Sequence, residues 1–128
     1  MRKIKGVLYN PFTEELKVVE VDANLEGYYK VLNCEMIEVI TREFSGKRLV
    51  VICDENGLFK SNNKVAIATY DKSNKDRAIE QIVGNVLIVD YFTEDEDFES
   101  LNDEEINAVF EAFILMDGSG HRVLMATV

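Results

Sequence analysis

The 128-residue chain is 47% hydrophobic and carries 24 acidic against 14 basic side chains, a formal charge of −10 at neutral pH. That length fits a single domain, residues 1–128, able to bury roughly two-thirds of its unfolded surface, and the composition excludes global disorder. No run approaches the ~20 apolar residues of a membrane helix, and Met1–Gly6 passes straight into a strand-like pattern without a signal-peptide core, so a cytoplasmic location with no membrane contact is expected.

Ile4–Tyr9 and Leu16–Val21 have strand character, and Asn10-Pro11-Phe12-Thr13-Glu14-Glu15 between them holds the only proline, which suits a turn and no central strand. The two predict a hairpin. Asp22-Ala23-Asn24 then offers a helix cap, and Leu25, Tyr28, Tyr29, Val31 and Leu32 follow at helical spacing. Gly27 weakens that helix by ~1 kcal/mol relative to Ala, and Asn33 suits a left-handed stop. Met36–Phe44 reads as a strand and Ser45-Gly46-Lys47 as a turn. Leu49-Val50-Val51-Ile52-Cys53 is apolar at every position, which implies a strand covered on both faces.

Asp54-Glu55-Asn56-Gly57 is the clearest turn signal in the chain, and Val65–Tyr70 the next strand. The polar stretch Asp71–Asp76 is either an exposed loop or the lead-in to a short helix around Arg77–Ile82. Val86–Phe92 is a second apolar strand, expected near the sheet centre. In Leu101-Asn102-Asp103-Glu104-Glu105-Ile106 a capping Asn stands three residues before Glu105, a capping box, with Leu101 and Ile106 placed as a hydrophobic staple. Ile106, Val109, Phe110, Phe113 and Ile114 form one helical stripe, which Gly118 and Gly120 are expected to end, before an edge strand at Arg122–Val128. The predicted fold is α+β: a curved, largely antiparallel sheet of five to seven strands with one principal C-terminal helix and one short helix.

The negative charge is unevenly placed. Between Ala78 and His121 there is no Lys or Arg, yet 12 of the 24 carboxylates lie there, leaving 14 bases against 12 acids elsewhere. A plain reading is a solvated loop at Thr93–Ser100 plus a first helical turn, where Asp103, Glu104 and Glu105 favour the helix dipole by ~0.3–1 kcal/mol each. The dipole does nothing for Glu94, Asp95, Glu96, Asp97 and Glu99, which repel one another. A calcium loop is disfavoured because residues 94–105 hold no glycine for its sharp turn. Carboxylates along a strand end, loop and helix turn can instead imitate DNA phosphates, with Tyr91, Phe92 and Phe98 as apolar anchors.

Other constellations are weaker. Cys34 and Cys53 adjoin apolar runs and read as buried thiols, and two Cys with one His cannot build a zinc site alone. His121 follows Ser119 too closely for a triad, since adjacent strand residues point apart. Asp54 and Glu55 form a carboxylate pair at a hairpin tip, which is more often a turn former than a catalytic centre. No phosphate-binding glycine loop is present, so no enzyme, metal or cofactor is expected.

Several segments resemble a family of small proteins from phages, prophages and mobile elements of Gram-positive bacteria, catalogued as a domain of unknown function, number 3846 in that series. They are Asn24-Leu25, Cys34-Glu35-Met36-Ile37-Glu38-Val39, Val51-Ile52-Cys53-Asp54-Glu55-Asn56-Gly57, Asn63-Lys64, Ile82–Val89 and Leu101–Ile106, roughly residues 3 to 114 in all. Cys34 stands where the family usually has Gly and Asp54 where it has Asn, and the acidic loop is longer. The resemblance implies a phage or mobile-element origin, assigns no catalytic residue, and marks Glu55, Gly57, Asn63 and Gly84 as special positions.

Two functions are therefore expected in order. The first is a non-catalytic counter-defence protein that masks the basic nucleic-acid surface of a host nuclease or restriction component through Glu94, Asp95, Glu96, Asp97, Glu99, Asp103 and Glu104, without itself binding nucleic acid. The second is a sponge for a cyclic-nucleotide signal, held in an oligomer interface by Tyr28, Lys30, Arg42, Arg48, Asn63 and Lys64. An uncharacterised scaffold is the remaining alternative.

Overall fold

The two unbroken apolar runs lie side by side and set the architecture. The computed structural model describes residues 2–56, 64–91, 98–115 and 120–128, without the side chains of 75–77. In it Lys47–Asp54 forms β4 and Val86–Val89 forms β7, paired antiparallel with Val51 opposite Ile88. Leu49, Val50, Val51, Ile52 and all four residues of β7 are buried. Strand alternation sends Leu49, Val51, Cys53, Val86 and Ile88 to one core and Val50, Ile52, Leu87 and Val89 to the other. At ~1.5–3 kcal/mol for each fully buried Val, Leu or Ile, this strand pair contributes substantially to folding free energy.

The hairpin β1 (Lys3–Asn10) and β2 (Glu15–Asp22) pairs in full register and docks through β1 on β7. On the other side β4 pairs with β3 (Ile37–Phe44) across a two-residue turn, Ser45 and Gly46, both with positive φ. The described strands continue with β5 (Val65–Asp71), β6 (Asn74–Val83), β8 (Phe113–Leu115) and β9 (Arg122–Thr127). The sheet order is β2-β1-β7-β4-β3-β9-β5-β6, with β8 also on β9. Pairings are antiparallel except that of β5 with β9. The sheet curls until its halves meet: the Tyr9 hydroxyl of β1 donates to the Arg122 carbonyl of β9, four places away in the order. Burial pushes the Tyr9 phenol up to about 12, with the Glu14 carboxylate adding to the rise, so it remains a neutral donor.

The inside of that curl is the larger core, closed at one end by α2 (Asp103–Glu111). The outside of β1, β7 and β4 is covered by α1 (Leu25–Leu32), which buries Tyr28 and Leu32. Asn24 caps α1 by accepting from the Gly27 amide at 2.7 Å, and Asn33 ends it in the left-handed conformation. No helix among the described residues is long and apolar enough to cross a membrane.

Four expectations are corrected. The described residues form nine strands and two short helices, a mostly sheet architecture rather than five to seven strands under a principal C-terminal helix. The segment expected as a loop or short helix is β6, joined to β5 by a tight turn in which the Asp71 carboxylate accepts from the Ser73 amide and hydroxyl. Ala78, Glu80 and Gln81 are good helix formers, but pairing with β5 overrides their propensity. The C-terminal helix stops at Glu111, because Phe113 and Ile114 leave the helical stripe to pair with β9, while the Tyr9 ring meets Phe113 edge-on at 5.1 Å. Finally, β9 is interior and not an edge strand, with β5 on one side and β8 and β3 on the other.

Gly27 also acts differently from its helix propensity. A Cβ there would sit 2.2 Å from the Asp22 carbonyl oxygen, so the glycine lets α1 close on the end of β2. Gly27→Ala is therefore expected to lower stability by about 2 kcal/mol in chemical denaturation. A gain of about 1 kcal/mol, as propensity alone would give, would contradict this packing.

Candidate functional site

The curl of the sheet leaves an opening between β3 and β6. β3 pairs with β4 along its whole length, but along its other edge the described partner is Thr127 opposite Glu43 alone. β6 ends the sheet and has no partner on its outer side among the described residues. Between them lies a cleft of about 230 Å³. Its walls are Glu38, Ile40 and Arg42 of β3, Glu80, Gln81, Ile82 and Val83 of β6, and Cys53, Asp54 and Glu55 at the end of β4.

Arg42 spans the cleft. Its Nη2 donates to Glu80 and its Nη1 to the Thr41 carbonyl at 2.7 Å, while its buried Nε has no partner among the described residues. The Arg42 side chain is 13% exposed against 48% for Glu80. A guanidinium so far from water needs its carboxylate, because a buried charge left alone costs several kcal/mol. Asp54 accepts from the Asn56 amide at 2.9 Å, a turn-forming contact. The Cys53 thiol lies 3.6 Å from the Glu38 carbonyl oxygen. Burial pushes it up to about 12, with the charges of Glu38 and Asp54 adding to the rise, so it is not a nucleophile at neutral pH. Cys53 takes part in no disulfide. No group of three or more His, Cys, Asp or Glu among the described residues is placed to hold a metal. His121 bridges the Val65 carbonyl at 2.7 Å and the Glu14 carboxylate at 3.6 Å, which ties loop to strand.

The acidic segment is rooted elsewhere, at the opposite end of β4. Phe98 is buried, 5.7 Å from the Tyr28 ring. Residues 99–101 are wedged between the ends of β1 and β7. The Asp90 amide donates to the Glu99 carbonyl at 3.0 Å, the Lys5 amide to Ser100 Oγ at 2.9 Å, and the Leu101 amide to the Lys5 carbonyl at 2.9 Å. Asn102 and Glu105 then form the reciprocal capping box that starts α2. Glu94, Asp95, Glu96 and Asp97 lie outside the described residues. Asp103 is exposed. Glu99 pairs with Arg2 at 3.3 Å and Glu104 with Lys47 at 3.5 Å. These two pairs stand on different faces: Arg2 also binds the carbonyl of Phe98, which belongs to the α1-side core, whereas Glu104 sits on α2.

The residues expected to hold a nucleotide are dispersed. Tyr28 is buried under α1, Lys30 borders a groove with Lys3 and Glu20, and Arg42 is in the cleft. Arg48 reaches Thr41 Oγ1 at 3.3 Å, Lys64 is exposed beside the start of β5, and Asn63 lies outside the described residues. Of the family-marked positions, Glu55 lines the cleft, Gly84 takes a positive φ between β6 and β7, and Gly57 is not described. Sequence reasoning missed Glu38 and Glu80. Glu38, Ile40 and Arg42 share a strand face by parity, a legible signal, but with β6 unrecognised nothing pointed to the opposite wall.

Two tests follow from these environments. In the native protein, iodoacetamide at about pH 8 is expected to leave Cys53 unmodified, and its alkylation at the rate of a free thiol would contradict the burial. Glu105 is held above the ordinary carboxylate range, by burial first and then by its hydrogen bond with Asp90, against the lowering contact from the Asn102 amide. A raised acid contributes stability that is full below its unfolded pKa and is lost as pH climbs through the folded one. Glu105→Gln keeps the cap acceptor, so its melting temperature is expected to exceed that of the wild type at about pH 8, with the difference shrinking toward about pH 4. A variant less stable at about pH 8 would contradict it.

No curated protein and no solved structure matches the chain. A family model does match over residues 4–114, from the first residues of β1 into β8, so it takes in both cleft walls and the rooted acidic segment. The chain belongs to the family described as Domain of unknown function (DUF3846).

Proposed function

We propose that this chain is a non-catalytic binding protein of phage or mobile-element origin, active in the host cytosol, that counters defence by covering the basic nucleic-acid surface of a nuclease or restriction component. The observation that carries the reading is the rooting of residues 98–105: a buried aromatic, two backbone hydrogen bonds, a third from the Lys5 amide to the Ser100 hydroxyl, and a capping box hold one stem of the acidic stretch on the sheet. Charge held on a fixed stem loses less conformational freedom on binding than charge on a free tail. Because Glu99 and Glu104 are each offset by a base of this chain, the weight of recognition falls on Glu94, Asp95, Glu96 and Asp97, together with Asp103. Electrostatic masking of this kind gains speed and salt sensitivity from the net charge of −10.

The nucleotide-sponge alternative draws no support from the geometry. Tyr28 and Lys30 stand on α1, Arg42 on β3 and Arg48 on β4, and the one basic group lining the cleft faces four carboxylates, which repel phosphate.

The test compares the wild type with a variant carrying Glu94→Gln, Asp95→Asn, Glu96→Gln and Asp97→Asn. Immobilised wild type is expected to retain a nuclease from bacterial lysate at low salt, to release it to excess duplex DNA, and to inhibit its cleavage. The folded variant should lose at least ~10-fold of that inhibition. Equal inhibition by the variant, or retention indifferent to DNA, would overturn the proposal.

A further inference from the structure

We infer that the cleft between β3 and β6 binds an extended peptide segment bearing a Lys or Arg side chain. The site is distinct from residues 90–105, and its occupancy does not depend on the function proposed above. Two independent features specify the occupant. The first is charge: Glu38, Asp54, Glu55 and Glu80 line the cleft against Arg42 alone, and Arg42 is already engaged by Glu80, so a cationic side chain is favoured and an anionic ligand repelled. The second is the backbone. From Ile37 to Arg42 the outer edge of β3 is unpaired among the described residues, and so is the outer edge of β6. Unpaired strand edges present rows of N–H and C=O groups that an added extended chain satisfies.

Size supports a side chain over a larger ligand. At about 230 Å³ the cleft is smaller than the ~300–1,000 Å³ of ordinary small-molecule sites. Ile40, Ile82 and Val83 give it apolar walls that suit the methylene stem of Lys or Arg, with Glu38 and Glu55 placed for the charged head. An arginine here makes bidentate contact with one carboxylate while its neighbours in the peptide pair with strand backbone.

The test titrates the isotope-labelled full chain with a capped peptide of alternating Arg and Val, following backbone amides by NMR. A capped Glu–Val peptide and spermidine serve as separate arms. The expected result is perturbation concentrated on residues 37–42 and 78–83 by the Arg peptide alone. Glu38→Gln with Glu55→Gln, neither of which touches the Arg42–Glu80 bridge, should weaken binding by at least ~10-fold without changing the melting temperature. Several outcomes overturn the inference: no perturbation there, equal binding of the Glu peptide, or unaltered affinity in the double variant. Spermidine matching the peptide in affinity and pattern would reduce the site to a charge trap. Shifts confined to residues 98–105 would place peptide binding at the acidic pole and not in the cleft. Loss of the nuclease effect would leave these outcomes untouched, since the two sets of variants share no residue.

Discussion

Everything in this fold hangs on β4 and β7 being apolar on both faces. A strand with one wet face can form the wall of a single core. Two adjacent strands with none require cover on each side, and the chain supplies it unequally. The small α1 covers the outside, while on the inside the sheet must curl back and bring β9, β5 and β6, with α2, over the same strands. The curl follows from that demand, and the open mouth between β3 and β6 follows from the curl. Neither the cleft nor the Arg42–Glu80 bridge exists without it.

The same pair fixes the acidic pole. β7 is short, and past Val89 it parts from β1, so the returning chain at residues 99–101 fills the gap with Ser100 and Leu101 on Lys5. The two ends of the sheet therefore differ in character. One end sets Arg2 and Lys47 against Glu99 and Glu104, while the other concentrates Glu38, Asp54, Glu55 and Glu80 with a single guanidinium. A count of charges along the chain placed all of the anionic character in the first region. In space, the nominally near-neutral body separates its own charges and makes a second anionic site.

Local signals were legible where chemistry within a few residues decides the structure. Asn24 and Asn33 bound α1, the Asn102–Glu105 box starts α2, and Ser45-Gly46 turns β3 into β4, each as the side chains demand. What was illegible depends on distant partners. Phe113 and Ile114 fit a helical stripe as well as a strand, and β9, ten residues on, decides between them. Ala78–Ile82 has helical composition, and β5 makes it a strand through an irregular register. The cleft needed both of those pairings, so only its β3 wall was visible in advance. The seven acidic positions were conspicuous, but their number could not reveal that Glu99 and Glu104 are tied to different faces.

The claim on which the functional reading rests is that the stem of the acidic segment is part of the sheet. Amide hydrogen exchange measures it directly. The Asp90 and Leu101 amides, donating to Glu99 and Lys5, are expected to exchange as slowly as those of β4 and β7, opening only with global unfolding. Exchange at those two positions as fast as in an exposed loop, while β4 and β7 remain protected, would contradict it.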